Sequence, residues 1–213
     1  MINRQRITRV VQLAVLPMLL SCPNLLAQDR MPPLTADKMT AEQKQATADY
    51  VALRNNPPGG PFGVMLRVPE LMDLAFKWRQ HLTAKPAIEP RLTEFGILLT
   101  ARHWTQQYEW DAHYPAAIRT GVKPETIAAL AEGRRPTQMA EDEAILYDLL
   151  TELQRNHSVS DATYARALAK FGESGIVEAT SLAGYYAMLA MVMNTARTPL
   201  PAGAKPPLAP FPR

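Results

Sequence analysis

The sequence predicts an all-α fold, a single-domain helical bundle of about eight helices. Three observations carry this expectation. Every long apolar pattern repeats at three- and four-residue spacing, the period of a helix face, and none alternates as a half-buried strand does. Proline, glycine and small polar residues fall between these patterns, where helices start and stop. The chain has 213 residues, 47% hydrophobic and 20% charged, a length and balance that suit one buried core.

Taken in order, residues 1–27 read as a secretory signal peptide, with Arg4, Arg6 and Arg9 as its positive region and Val10 to Leu20 as its apolar region. Residues 28–39 form a proline-containing lead-in. Thr40 and Gln43 have capping-box spacing and open a helix toward Arg54. The stretch "NNPPGGPFG", 55–63, is a turn-rich loop. Pro69 sits at a first-turn position and starts the amphipathic "PELMDLAFKWRQHL", to about Leu82. Pro90 starts "PRLTEFGILLTARHW". The polar "TQQ" interrupts it before a helix through "YEWDAHYPAAIRT", which Gly121 closes.

A short helix follows from Pro124 to Glu132, ended by Gly133, and another from Glu141 to Asn156. Ser160 caps a helix to Phe171 that stops at Gly172. The last helix runs from about Ser174 to Arg197, and its "LAGYYAMLAMVM" is apolar nearly all round. Glu178 and Asn194 bracket that run too closely for a membrane span, so it is expected as a core or subunit-interface helix. The helical domain is thus expected over 40–198. The tail, 199–213, carries six prolines and is expected to be extended or disordered. There is no internal repeat and no glycine-rich phosphate loop.

The ends of the chain bound its function. Cleavage after Ala27, in "NLLAQ", is the favoured processing site. "LLSC", Leu19–Cys22, resembles a bacterial lipobox that would lipidate Cys22, and an uncleaved N-terminal anchor is the plainest alternative. Export to the bacterial periplasm or the medium is expected. The formal charge is +3 and the pI about 9.1. Loss of the three leading arginines takes the 23 basic side chains to 20, equal to the 20 acidic ones. No electrostatic case for a nucleic-acid partner is left. Cys22 is the single cysteine, so stability must come from the core or from oligomerisation rather than disulfides.

Chemistry concentrates in "LTARHWTQQYEWDAHYPAAIRTG", Leu99 to Gly121. Gln106, Glu109 and His113 stand at i, i+3 and i+7 and share one helix face. A carboxylate four residues before a histidine can orient the imidazole for proton transfer. Glu94, inside the apolar "LTEFGILL", is expected to be partly buried. Two carboxylates and a histidine among aromatic rings make an acid–base site. The same residues also fit a surface helix pair, with Glu94 on a solvated face and Trp104 and Trp110 in the core. His103 reads as a core or rim histidine before it reads as a metal ligand. His81 and His157 sit near helix ends, where a histidine suits the helix dipole. Tyr185 and Tyr186 read as core or as the far wall of the site.

In these residues the chain resembles the carboxymuconolactone decarboxylase family, which shares its fold with the alkylhydroperoxidase D-like proteins. The resemblance rests on Arg91 and Glu94, on Glu109-Trp110-x-x-His113, and on the helix ending at Gly121. Pieces around Leu66–Leu71, Ser160–Tyr164 and "GYYAMLAMVMNTARTPLP" extend it over roughly Leu34 to Pro201. It implies a bundle of the alkylhydroperoxidase D-like type and a homo-oligomer, a trimer or hexamer. The peroxidase branch carries Cys-x-x-Cys-x-x-x-His, and its two cysteine positions fall here on Gln106 and Glu109. Neither can form a sulfenic acid or a disulfide. The resemblance therefore implies the decarboxylase branch, with cofactor-free acid–base decarboxylation, or related lyase or isomerase chemistry, on a small carboxylated or lactone-like substrate. His113 would move the proton with Glu94 as partner, and Glu109 would tune it or hold substrate. Arg67 and Arg102 are candidate carboxylate anchors, with Gln106 and Trp110 lining the substrate. No metal and no cofactor is expected. A ligand-binding protein without turnover is the alternative, and a cysteine-free relative of the peroxidase branch the third reading.

Overall fold

The computed structural model describes residues 29–84 and 86–209. The expected signal peptide and Cys22 lie outside the described residues, as do the last four residues of the tail. Among the described residues there are eight helices and no strand: α1 (Ala41–Arg54), α2 (Pro61–Met65), α3 (Pro69–Ala84), α4 (Pro90–His103), α5 (Gln107–Thr120), α6 (Pro124–Ala131), α7 (Glu141–Asn156) and α8 (Asp161–Ala196).

The caps that the sequence offers are used. Thr40 and Gln43 close a reciprocal capping box on α1, and the Ser160 side chain accepts the Thr163 amide at the start of α8. Two differences from the expected elements have local causes. The loop at 55–63 contains the start of the short α2, because Pro61 suits a first helical position and Phe62, Val64 and Met65 bury their side chains there. The last two expected helices run end to end as α8, with a break where Gly172 adopts φ 66°, ψ 177°.

Helix α4 lies at the centre and packs against α5, α6, α7 and α8. Phe95, Leu98 and Ala101 are fully buried, and each large apolar side chain sealed in this way contributes about 1.5–3 kcal/mol. Gly96 sets the approach of the neighbouring helices. A methyl group there would stand 3.2 Å from Leu182 Cδ2 and 3.4 Å from Leu150 Cδ1, so its absence lets α8 and α7 close on α4. Arg91 ties the start of α4 to the start of α7, donating to Glu143 Oε1 at 2.7 Å and Asp142 Oδ2 at 2.6 Å. By length and composition α8 could cross a membrane. Its Leu182, Tyr185, Tyr186, Leu189 and Met193 are instead buried in the core.

The corner between α4 and α5 fixes the site. The Gln106 amide donates to Ala101 O at 2.8 Å and the Thr105 amide to Arg102 O at 3.0 Å. This is the paired closure of a helix C-terminus that needs a left-handed residue, and Thr105 supplies it at φ 48°. Glycine is the usual occupant. A β-branched residue there costs roughly 1–2 kcal/mol. Gln106 then caps α5, its Oε1 accepting the Tyr108 amide at 2.7 Å. The chain reverses and α5 lies along α4.

The described part of the tail makes a turn at 201–204 and is anchored beyond it. Leu208 is 2% exposed and belongs to the core. The Gln107 carboxamide donates to Leu208 O at 2.7 Å and accepts the Leu208 amide at 2.9 Å. Prolines disfavour helix here, and a buried leucine, the Gln107 carboxamide and Arg102 hold the segment. The lead-in is tied by the Arg30 amide to Ala196 O.

Candidate active site

A cavity of about 400 Å³ opens between the helices, lined by Glu94 from α4, Glu109 and His113 from α5, and Tyr186 from α8. Glu94 and His113 lie 19 residues apart in sequence, and the α4–α5 corner brings them face to face. His113 Nδ1 stands 2.8 Å from Glu94 Oε2, with the two side chains 19% and 17% exposed. A ring nitrogen bonded to a carboxylate carries the hydrogen. The bond therefore selects the tautomer whose Nε2 is the basic atom.

Aromatic rings hold the imidazole plane. Tyr186 meets His113 edge to face at 5.1 Å and 88°. Tyr185 meets Tyr186 at 5.2 Å and 90°, and Trp78 packs on Tyr185 while its Nε1 donates to Ser181 Oγ at 3.0 Å.

Glu109 is the unusual member. It is 3% exposed, and neither carboxyl oxygen has a hydrogen-bond partner. A glutamate at this position of the first turn commonly reaches back to the cap amide. Here that amide, of Gln106, is already given to Ala101 O. Burial pushes the Glu109 carboxyl well above the usual carboxylate range, which favours its protonated form, an O–H donor. Burial also pushes the Tyr186 phenol up, which keeps it a donor. The cavity thus sets an imidazole bonded to a carboxyl group beside a buried carboxyl and a phenol, groups of the kind that exchange protons.

Of the residues singled out in the sequence, Glu94, Glu109 and His113 meet in this cavity. The proposed substrate-binding residues do not line it. Arg67 donates to Gly63 O at 3.3 Å and Pro32 O at 2.7 Å, holding the lead-in. Arg102 is buried and donates to Ala209 O at 2.6 Å, holding the tail. Gln106 precedes α5 as its cap, rather than sharing the face of Glu109 and His113, and donates to Asn194 Oδ1 at 2.8 Å. Trp110 is buried on another side of α5, beside Pro124 and Pro207.

Tyr186 lines the cavity. Tyr185 lies behind it in the core. His103 is exposed at the end of α4, away from the cavity, and His157 is the left-handed cap of α7. Among the described residues no group of three or more His, Cys, Asp or Glu is placed to hold a metal. Sequence reasoning missed Arg54, Arg79, Arg119 and Tyr108, all on the cavity wall. Arg119 follows Ala112 by seven residues and Ala116 by three, so its face was readable. Arg54 and Arg79 come from separate helices and carried no such signal.

No protein-family model matches the chain, and no curated protein matches it. Solved structures do. One, described as the alkylhydroperoxidase AhpD core of an uncharacterized peroxidase-related protein from Ralstonia eutropha JMP134, is 13% identical. It covers 81% of this chain and 92% of its own with a TM-score of 0.66. Another, an uncharacterized peroxidase-related protein from Silicibacter sp. TM1040, is also 13% identical, covering 82% and 92% with a TM-score of 0.66. At this identity the likeness shows the fold: the chain has an all-helical, alkylhydroperoxidase D-like architecture.

Proposed function

We propose that the cavity carries out cofactor-free acid–base chemistry of the carboxymuconolactone decarboxylase kind on a small carboxylated or lactone-like compound. The observation that carries this reading is the 2.8 Å pair of His113 Nδ1 and Glu94 Oε2 beside the buried, partnerless carboxyl of Glu109. In decarboxylation the carbon–carbon bond to the leaving carboxylate breaks and its electron pair moves through the skeleton onto the adjacent carbonyl oxygen. The O–H groups of Glu109 and Tyr186 donate to that oxygen as its charge grows. Protonated His113 gives its Nε2 proton to the carbon, carbon dioxide departs, and solvent returns a proton to the imidazole. Glu94 holds the ring through its Nδ1 in both states. An isomerase would use the same steps, with Nε2 removing a carbon-bound proton first.

The peroxidase-related label of the two structural neighbours supports a different chemistry less well. Positions 106 and 109 are glutamine and glutamate, and the single cysteine of the chain is Cys22. We carry a homo-oligomer within the proposal as well. Exposed Leu71, Leu74 and Trp78 lie at i, i+3 and i+7 along α3 and support a subunit contact.

The test is turnover of the purified protein on a panel of carboxylated lactones and small β-keto acids, wild type beside His113→Gln. Carbon dioxide release and deuterium uptake from heavy water are both read. Loss of about 10²-fold or more in the variant is expected for a general acid–base residue. A folded wild type that neither releases carbon dioxide nor exchanges protons on any panel member refutes the proposal.

A further inference from the structure

The cavity wall carries three guanidiniums that the relay does not use. Arg54 ends α1, Arg79 lies in the second half of α3, and Arg119 is near the end of α5. Other arginines of this chain are engaged. Arg91, Arg135 and Arg166 bind carboxylates, and Arg67 and Arg102 bind backbone carbonyls. The guanidiniums of Arg54, Arg79 and Arg119 have no ion-pair or hydrogen-bonding partner among the described residues. Arg79 is partly buried and lines the same cavity as Glu94, His113 and Tyr186.

The carboxyl groups of the wall do not pair with these guanidiniums. Glu94 is engaged by His113, and neither carboxyl oxygen of Glu109 has a partner. A concave site with such an excess of one sign attracts the opposite one. A guanidinium withdrawn from water without a partner is also costly unless an anion comes to it.

We infer that Arg79, flanked by Arg54 and Arg119, holds a carboxylate of the substrate that the reaction leaves in place. The second half of that statement rests on the proposed acid–base function. A carboxylate leaving as carbon dioxide must lose its negative charge to the carbon skeleton. A guanidinium on that carboxylate stabilises the ground state more than the transition state and slows the step. The group on the arginines is therefore the retained one, and the reacting carbon lies toward His113. The substrate class is a small organic acid with a carbonyl at one end and a separate carboxylate at the other. A cavity of about 400 Å³ admits such a molecule.

The experiment is calorimetric binding of levulinate, which has a ketone and a distant carboxylate, and of its neutral methyl ester. The acid is expected to bind at least about tenfold more tightly than the ester, the scale of one charge-assisted pair. Arg79→Gln should abolish that preference while leaving the ester unchanged, and Arg79→Lys should restore part of it. Arg54→Gln and Arg119→Gln alter exposed side chains and leave the fold intact. Each should weaken the acid severalfold. Equal affinity for acid and ester, no binding of the acid, or a preference that survives in all three glutamine variants overturns the inference. Inorganic phosphate binding more tightly than levulinate overturns the assignment to a carboxylate. His113→Gln should keep the preference. A protein that binds the acid without any turnover thus refutes the proposed function alone, and turnover without charge preference refutes the clamp alone.

Discussion

Glu109→Gln keeps the size and the donor capacity of the protonated acid and removes its titration. The sign of the effect follows from burial. The folded carboxyl is held above its ordinary value, so the native state keeps a proton that the unfolded chain releases from about pH 4.3 upward. Below that pH both states are protonated and the group has no effect on stability. Above it, wild-type stability falls by about 1.4 kcal/mol per pH unit, until the folded carboxyl itself ionises and the loss levels off. The glutamine variant has no such slope, so its advantage begins between about pH 4 and 5 and grows with pH. For a domain of this size 1 kcal/mol shifts Tm by about 2–4 °C, so the two melting curves should separate by about 3–6 °C per pH unit within that window. Thermal melts of both proteins at half-unit steps from about pH 4 to 8 make the measurement. Parallel Tm profiles would mean that Glu109 is ionised in the folded state, and its part as a neutral donor would then be wrong.

Three further outcomes follow from the packing. Gly60 has φ +54°, and an added methyl would lie 2.4 Å from Tyr108 Cε1. Gly60→Ala should therefore cost about 1–2 kcal/mol in strain alone and more in displaced Tyr108, with part recovered in a Gly60→Ala/Tyr108→Ala double variant on melting. Gly96→Val should lose about 1–3 kcal/mol by overpacking. Because the first atom it meets is Leu182 Cδ2, adding Leu182→Ala should cost less than the sum of the two single changes in denaturant melts. Leu208→Ala should lose about 2 kcal/mol or more, and free tails in hydrogen exchange would report the same event. An unchanged melting curve would show that the tail anchor contributes nothing.

The helices were legible because their ends are written in short-range chemistry. Thr40 with Gln43, Pro90, Gly121 and Ser160 each act within a few residues of themselves. The same locality made the face of Glu109 and His113 readable. It failed at Gln106, because helix α4 closes through a left-handed Thr105, a residue type that gives no warning of that conformation. The short α2 escaped because its proline and glycine read as loop, while the burial of Phe62 and Met65 depends on helices far along the chain. The anchors failed for a related reason. Arg67 and Arg102 look like free cations in sequence, but their partners Pro32 and Ala209 lie 35 and 107 residues away. Arg79 looks like the solvated face of α3 and turns inward only because α8 and α5 wall a cavity beside it.

The corner at Thr105 has a consequence for how this chain can diversify. Glu94, Glu109 and His113 all sit on the two helices it joins, within one short run of sequence, whereas Arg54 and Arg79 arrive from α1 and α3. The imidazole and its carboxylate thus sit on a single hairpin, whereas Tyr186 comes from α8 and two of the three cavity arginines come from separate parts of the chain. Exchange of α1 or α3, by drift or by grafting, would change the cavity wall and leave the imidazole–carboxylate pair in place. The hairpin tolerates no such exchange, since a shift of one residue in either helix separates the imidazole from its carboxylate.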